Sequence, residues 1–278
     1  MPELPEVETI RRDLADLVVG KMISHLVVAD RRALEGFGPD GSRRRRVDPV
    51  AFEGRLKGRR VSGVGRRGKY LLLHLDDGAS LLVHLRMTGR LVWGPPDLRA
   101  RVQILFDDES NVLSFCDTRR FGEVWIAEDW REDPSIKALG PEPLEPLDAD
   151  EWSRGLRRSS AKIQAALLDQ KRMAGLGNIY VTEALWRAGI RPARRARTLR
   201  ESDTNILLGH IRDVLQEGIL HRGVSFRDYR DAQGNKGRAG ERLAVYGKAG
   251  KPCPRCRATL QGAKVNGRGT VFCPRCQK

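Results

Sequence analysis

The stretch LGPEPLEPL, residues 139–147, divides the chain, because three prolines and a glycine in so short a run sustain neither a helix nor a strand. Hydrophobic patterning differs on its two sides. Before it come KMISHLVV (21–28), YLLLHLDD (70–77), SLLVHLRM (80–87), RVQILFDD (101–108) and FGEVWIA (121–127), short alternating runs broken by Gly, Asp and Pro. Such runs read as strands of a β-sandwich or barrel. After it come AKIQAALLDQ (161–170), IYVTEALWRAG (179–189) and NILLGHIRDVLQEGI (205–219), whose apolar residues recur every three or four positions, as in helices. The chain is therefore expected to be α+β, with a β domain over 1–138, a linker over 139–148, a helical domain over 149–240 and a terminal module over 241–278.

At 278 residues and 40% hydrophobic content the chain has room for two packed domains. No run of about 18 apolar residues is present, and the start lacks the basic and apolar regions of a secretion signal. A soluble, cytoplasmic protein is expected. Its 51 Lys and Arg against 36 Asp and Glu give a net charge of +15, which points to a polyanionic partner, nucleic acid first. The basic residues are spread along the whole chain instead of gathering on one amphipathic helix, which argues against a membrane surface. The run Arg43–Arg46 reads as a solvated loop.

The chain opens with MPELPEVETI. Leu4, Val7, Ile10, Leu14, Leu17 and Val18 form one apolar stripe and Gly20 is a stop signal, so a helix is expected near 4–18. Prolines and acids suit its first turn. Once Met1 is removed, Pro2 carries a secondary amine close to the positive helix end, where it is a candidate nucleophile.

Four of the five cysteines fall as Cys253-Pro-Arg-Cys256 and Cys273-Pro-Arg-Cys276, with sixteen residues between the pairs. That spacing suits one tetrahedral zinc, and four thiolates leave no open coordination position, so the ion is structural. ATLQGAKV and TVFC read as two strands joined through Asn266-Gly267-Arg268-Gly269, placing Arg268 on an exposed loop suited to phosphate. Cys116, inside VLSFC, reads as buried and inert. In Met173-Ala174-Gly175-Leu176-Gly177-Asn178 the glycines precede a helical run. Their amides, the helix dipole and the Asn178 side chain make either a phosphate site or a plain helix corner.

Taken together, MPELPEVE, DTRRFGE, GLGNIY and the terminal CPRC, GRGT and FCPRCQK resemble the bacterial formamidopyrimidine-DNA glycosylase family along the whole chain. The resemblance implies an N-terminal two-sheet antiparallel β-sandwich with flanking helices, a helical helix-two-turn-helix domain and a zinc-finger β-hairpin. It implies removal of 8-oxoguanine and formamidopyrimidines from duplex DNA, then strand cleavage at the abasic site by β,δ-elimination, with the chain acting as a monomer. Pro2 matches the family nucleophile, Glu3 the acid at the sugar ring oxygen and Glu6 a second acid near the amine. Lys69, in GRRGKYLLLHL, matches the lysine contacting phosphate and damaged base; Asn178 and Arg268 match phosphate contacts. Met87, Arg119 and Phe121 match the residues that fill the hole left by the flipped nucleotide. In GVSFRDYRDAQGNKGRAGERLAVYG the family's aromatic pair is replaced by Arg238-Ala239-Gly240, in the loop that closes over the flipped base. Two other readings are an endonuclease VIII-type glycosylase for oxidised pyrimidines, and a non-catalytic zinc-containing DNA-binding protein. Arg119 with Phe121, and Pro2 with Glu3, speak against them respectively.

Overall fold

The computed structural model describes residues 2–34, 47–107 and 110–278; Arg43–Arg46 lie outside them. Two compact units emerge, one of Met1–Ala138 with His221–Gly240, the other of Leu139–Leu220 with Glu241–Lys278. The stretch 221–240, which sequence patterning groups with the helices, thus packs in the first unit.

In the first unit, helix α1 (Leu4–Val18) is followed by β1 (Ile23–Val28), α2 (Pro49–Leu56), β2 (Val61–Arg67), β3 (Tyr70–Leu75), β4 (Ser80–His84), β5 (Arg90–Gly94), β6 (Val102–Phe106), β7 (Val112–Cys116), β8 (Glu123–Ala127) and the short α3 (Pro134–Lys137). The strands form two antiparallel sheets, ordered β1-β6-β7-β5 and β2-β3-β4-β8. Leu71, Leu73, Leu81, Val83 and Val124 of one sheet share a core with Leu91, Ile104, Phe106, Leu113 and Phe115 of the other. This is a sandwich, which settles the choice between sandwich and barrel. Leu72, Leu82 and Trp125 are paired across neighbouring strands on the opposite face and are also buried, which explains why YLLLHL and SLLVH read as nearly continuous apolar runs.

Helix α1 closes this core with Val7, Ile10, Leu14 and Val18, and Gly20 ends it at φ +85°. Complete burial of those four aliphatic side chains contributes on the order of 1.5–3 kcal/mol each relative to exposure. Arg66 of β2 fixes the start of the helix, reaching Glu8 at 3.1 Å and donating to the Gly68 carbonyl at 2.9 Å.

The second unit contains α4 (Ala149–Arg157), α5 (Ile163–Leu168), α6 (Asn178–Arg187) and α7 (Glu201–Leu220), then the hairpin β9 (Gln261–Val265) and β10 (Arg268–Phe272). Asn266 and Gly267 turn the hairpin with φ of +47° and +77°, the left-handed pair that the Asn-Gly sequence favours. Glu183 on α6 accepts from the amides of Ala244, Val245 and Tyr246 at 2.8–2.9 Å and so fixes the approach to the hairpin. Among the described residues no helix is long and apolar enough to cross a membrane.

Candidate active site and nucleic-acid interface

Pro2 and Glu3 are buried at the start of α1, with Glu3 as the residue before the helix. Glu6 is 1% exposed; one carboxylate oxygen accepts from the Glu3 amide at 2.8 Å and the other from the Val224 amide at 2.7 Å. Tyr229 donates to the Glu6 carbonyl at 3.3 Å. Glu6 therefore ties the chain start and the 221–240 segment to one helix turn, where its negative charge also suits the helix dipole. Arg222, in a left-handed conformation, adds ion pairs to Asp13 of α1 at 2.6 Å and Asp231 at 2.5 Å. Gly237 comes so close to the Arg222 and Gly223 carbonyls that a Cβ there would sit 2.2 Å from each. The loop that departs from the family pattern is thus packed through its backbone: Arg238 N–H donates to the His221 carbonyl and Ala239 N–H to that of Gly223.

Lys69 is 7% exposed in the turn between β2 and β3. The next residue, Tyr70, begins a polar row across the sheet, pairing with His84, which pairs in turn with Glu123. Burial, reinforced by the charges of Arg86 and Lys69, holds His84 well below the usual histidine range. The Arg86 amide donates to His84 Nδ1 at 3.1 Å, so the neutral ring carries its proton on Nε2. Arg86 pairs with buried Glu123 at 2.7 Å.

Met87, Arg119 and Phe121 stand on two loops joined by one clamp. Asp117, 5% exposed, accepts from the Thr88 hydroxyl, the Arg119 amide at 3.2 Å and the Gly122 amide at 2.6 Å. Met87 is 36% and Phe121 45% exposed, two large apolar side chains held outward on stiff turns. The clamp residues Thr88 and Asp117 and the brace Arg66 were not singled out from sequence. The adjacency of Thr88 to Met87 and of Asp117 to the RRFG stretch is the signal that was available. Cys116 is buried as expected; burial, then Asp97, pushes its thiol up to about 11.

In the second unit, Gln170 Oε1 accepts from the Gly175 amide at 2.9 Å and Gln170 Nε2 donates to the Leu176 carbonyl at 2.9 Å. The Gly175 amide expected to face phosphate is thus engaged inside the protein. Asn178 opens α6, and its Nδ2 donates to the Gly269 carbonyl at 2.7 Å. Arg268 pairs with Val265 as the first residue of β10, so it extends from an exposed strand end instead of the turn itself. Asn178 and Gly269 line a cleft of about 650 Å³ with Tyr246, Lys264 and Thr270.

The four Sγ atoms of Cys253, Cys256, Cys273 and Cys276 lie within 4.8 Å of one another. Tetrahedral thiolates at the usual zinc distance stand about 3.8 Å apart; here Cys253 and Cys276 are separated by 4.0 Å and Cys256 and Cys273 by 3.4 Å. The donor set fits one structural zinc ion. Buried Gln277 braces it, accepting from the Cys273 amide at 2.7 Å and donating to the Ile190 carbonyl at 2.9 Å.

Comparison with known proteins assigns each part of this architecture to a domain type. The formamidopyrimidine-DNA glycosylase N-terminal domain matches residues 1–124, the formamidopyrimidine-DNA glycosylase H2TH domain residues 139–229, and the zinc finger found in FPG and IleRS residues 250–278. Fold and site define a DNA-repair glycosylase carrying a zinc finger. The formamidopyrimidine-DNA glycosylase of Desulfitobacterium hafniense is 42% identical over 282 residues, covering all of both chains. A Lactococcus lactis FPG variant solved with DNA containing Fapy-dG superposes with a TM-score of 0.89 at 37% identity, covering all of both chains. MutM (FPG) of Thermus thermophilus superposes at 0.87 with 39% identity, covering 99% of this chain and 98% of the other. The chain belongs to the formamidopyrimidine-DNA glycosylase family of enzymes.

Proposed function

We propose that this protein removes oxidised purines, 8-oxoguanine and formamidopyrimidines, from duplex DNA and then cleaves the strand through a covalent link to Pro2. The observation that carries this reading is the start of α1. There Pro2 and Glu3 are buried side by side, while both oxygens of Glu6 accept backbone amides and hold that start in place. Binding alone asks for no such arrangement.

With Met1 removed, the Pro2 nitrogen attacks the anomeric carbon as the glycosidic bond breaks and the base leaves with the bonding pair. Glu3 delivers a proton to the ring oxygen, the sugar opens, and the bond to nitrogen becomes an iminium. A secondary amine suits this step, because its iminium has no nitrogen proton to lose and stays charged. The positive nitrogen acidifies the adjacent C2′ proton. Loss of that proton expels the 3′ phosphate by β-elimination, and a second elimination expels the 5′ phosphate.

The target carbon is hidden in the stack, and turning the nucleotide out costs about a few kcal/mol. Met87 and Phe121 fill the space it leaves, and Arg119 supplies donors to the orphaned cytosine. Lys69, Asn178 and Arg268 hold phosphates around the lesion, and the four-cysteine zinc keeps the Arg268 strand rigid. The chain works as a monomer, since one chain supplies every group these steps use, and it acts in the cytoplasm, where its DNA substrate lies.

Incubation with duplexes carrying 8-oxoguanine, a formamidopyrimidine or an oxidised pyrimidine tests this reading. The expected result is strand cleavage at the two purine lesions with a phosphate on each side of the gap. Cleavage only at the pyrimidine would place the chain with endonuclease VIII-type enzymes, and binding with no cleavage would make it a non-catalytic protein.

A further inference from the structure

Two side-chain amides in the second unit form a relay whose direction is fixed at one end. Gln164 Nε2 on α5 donates to Asn178 Oδ1 at 2.7 Å, and Asn178 Nδ2 donates to the Gly269 carbonyl at 2.7 Å. A backbone carbonyl only accepts, so the Asn178 NH2 group must face it. Asn178 then turns its oxygen toward Gln164, which must answer with its own NH2 group. Rotating either amide by half a turn would set two acceptors against each other. Gln164 is fully buried, and it keeps this orientation although its Oε1 has no partner among the described residues. An orphaned buried acceptor is unfavourable, but a half-turn would only set that oxygen against Asn178 Oδ1, so the relay keeps the Gln164 NH2 group toward Asn178. A second side-chain contact between α6 and β10, Thr182 Oγ1 to Thr270 Oγ1 at 3.4 Å, joins hydroxyls that act either way and sets no direction.

We propose that Gln164 is a positioning residue for the DNA-phosphate grip. It sets which way the Asn178 amide points and, through Gly269, where the strand end bearing Arg268 stands. The relay runs from a fully buried residue of α5 to an exposed strand end, so a group remote from DNA governs the two groups assigned to its phosphates. This rests on the proposed roles of Asn178 and Arg268.

A double-mutant cycle tests it, with affinity measured on a duplex carrying a tetrahydrofuran abasic analogue over a range of salt concentrations. Gln164→Met keeps length and volume but removes the donor. The expected loss is roughly fivefold when Asn178 is present and less than about twofold in the Asn178→Ala background. The salt dependence, as log affinity against log salt, flattens by about one phosphate contact. Zinc content and thermal midpoint stay near those of the parent, because the replacement removes the orphaned Gln164 oxygen and the Asn178 oxygen it releases is only half-buried. Should Gln164→Met fail to fold, Gln164→Leu serves the same cycle, since it removes the donor without placing an ionisable group in the buried site. Equal losses in both backgrounds, or unchanged affinity with Asn178 present, overturn the proposal. If Asn178→Ala alone leaves affinity unchanged, the phosphate-grip reading fails and takes the proposal with it; a loss with Asn178→Ala but none with Gln164→Met removes the proposal alone.

Discussion

The guanidinium of Arg119 lies 4.9 Å from the centroid of the Phe121 ring, so the cation and the aromatic face form one exposed unit on a loop pinned by Asp117. Truncating Phe121 removes both a stacking surface and the support of Arg119. Phe121→Ala is expected to slow excision of 8-oxoguanine from duplex DNA by about tenfold or more, with a much smaller effect on cleavage at a preformed abasic site. Single-turnover rates on the two substrates check this, and equal losses would contradict a space-filling role.

The zinc hairpin carries Arg268, and its stiffness comes from four thiolates on one ion. Chelation with verified loss of metal is expected to abolish binding to lesion-containing duplex, because the terminal module has only a small core of Val245, Leu260, Val271 and the cysteines themselves. Fluorescence anisotropy of labelled duplex measures this; binding that survives metal loss would remove Arg268 from the interface.

Arg222 joins Asp13 and Asp231, the latter with no exposed side-chain surface. Arg222→Ala leaves both carboxylates without that cation. Because Arg222 is itself 43% exposed, the expected loss is moderate, about 1–3 kcal/mol, in chemical denaturation of the protein. A change below a few tenths of a kcal/mol would show that the segment is held by its backbone contacts alone.

His84 gives stability a pH dependence of definite sign. Burial first, then Arg86 and Lys69, keep it neutral in the folded state, whereas the unfolded chain takes up a proton below about pH 6.5. The unfolded state then binds more protons, so stability falls as pH drops through that value, by up to about 1.4 kcal/mol per unit for this group. His74, lowered by burial and by Arg131, adds in the same direction. His84→Gln is expected to flatten the decline between pH 6.5 and 5, and an unchanged slope would assign it to other groups.

Elements with a clear period or a covalent signature were legible in the sequence. The α1 stripe, the YLLLHL and SLLVH strands, the helices α5 to α7 and the four-cysteine cluster all carry their pattern within a few residues. Strand β2 was less legible because Gly63, Gly65 and two arginines dilute its alternation, and it is recognised in space by pairing with β3. The short α4 has only two large apolar residues, Trp152 and Leu156, too few to announce a period. Partnerships across long sequence separations left no local trace. Glu6 with Val224, Arg222 with Asp13, and Thr88 with Asp117 exist only once the chain has folded. The family resemblance supplied candidate contact residues; the structure supplied the braces that hold them, Arg66, Asp117 and Gln164.

Borohydride reduction of the protein on a duplex with 8-oxoguanine opposite cytosine, followed by peptide mapping, tests the central claim most directly. The account predicts a stable covalent adduct on the nitrogen of Pro2 in protein shown by mass to lack Met1. An adduct on a lysine instead, or none from protein that still cleaves the strand, would contradict it.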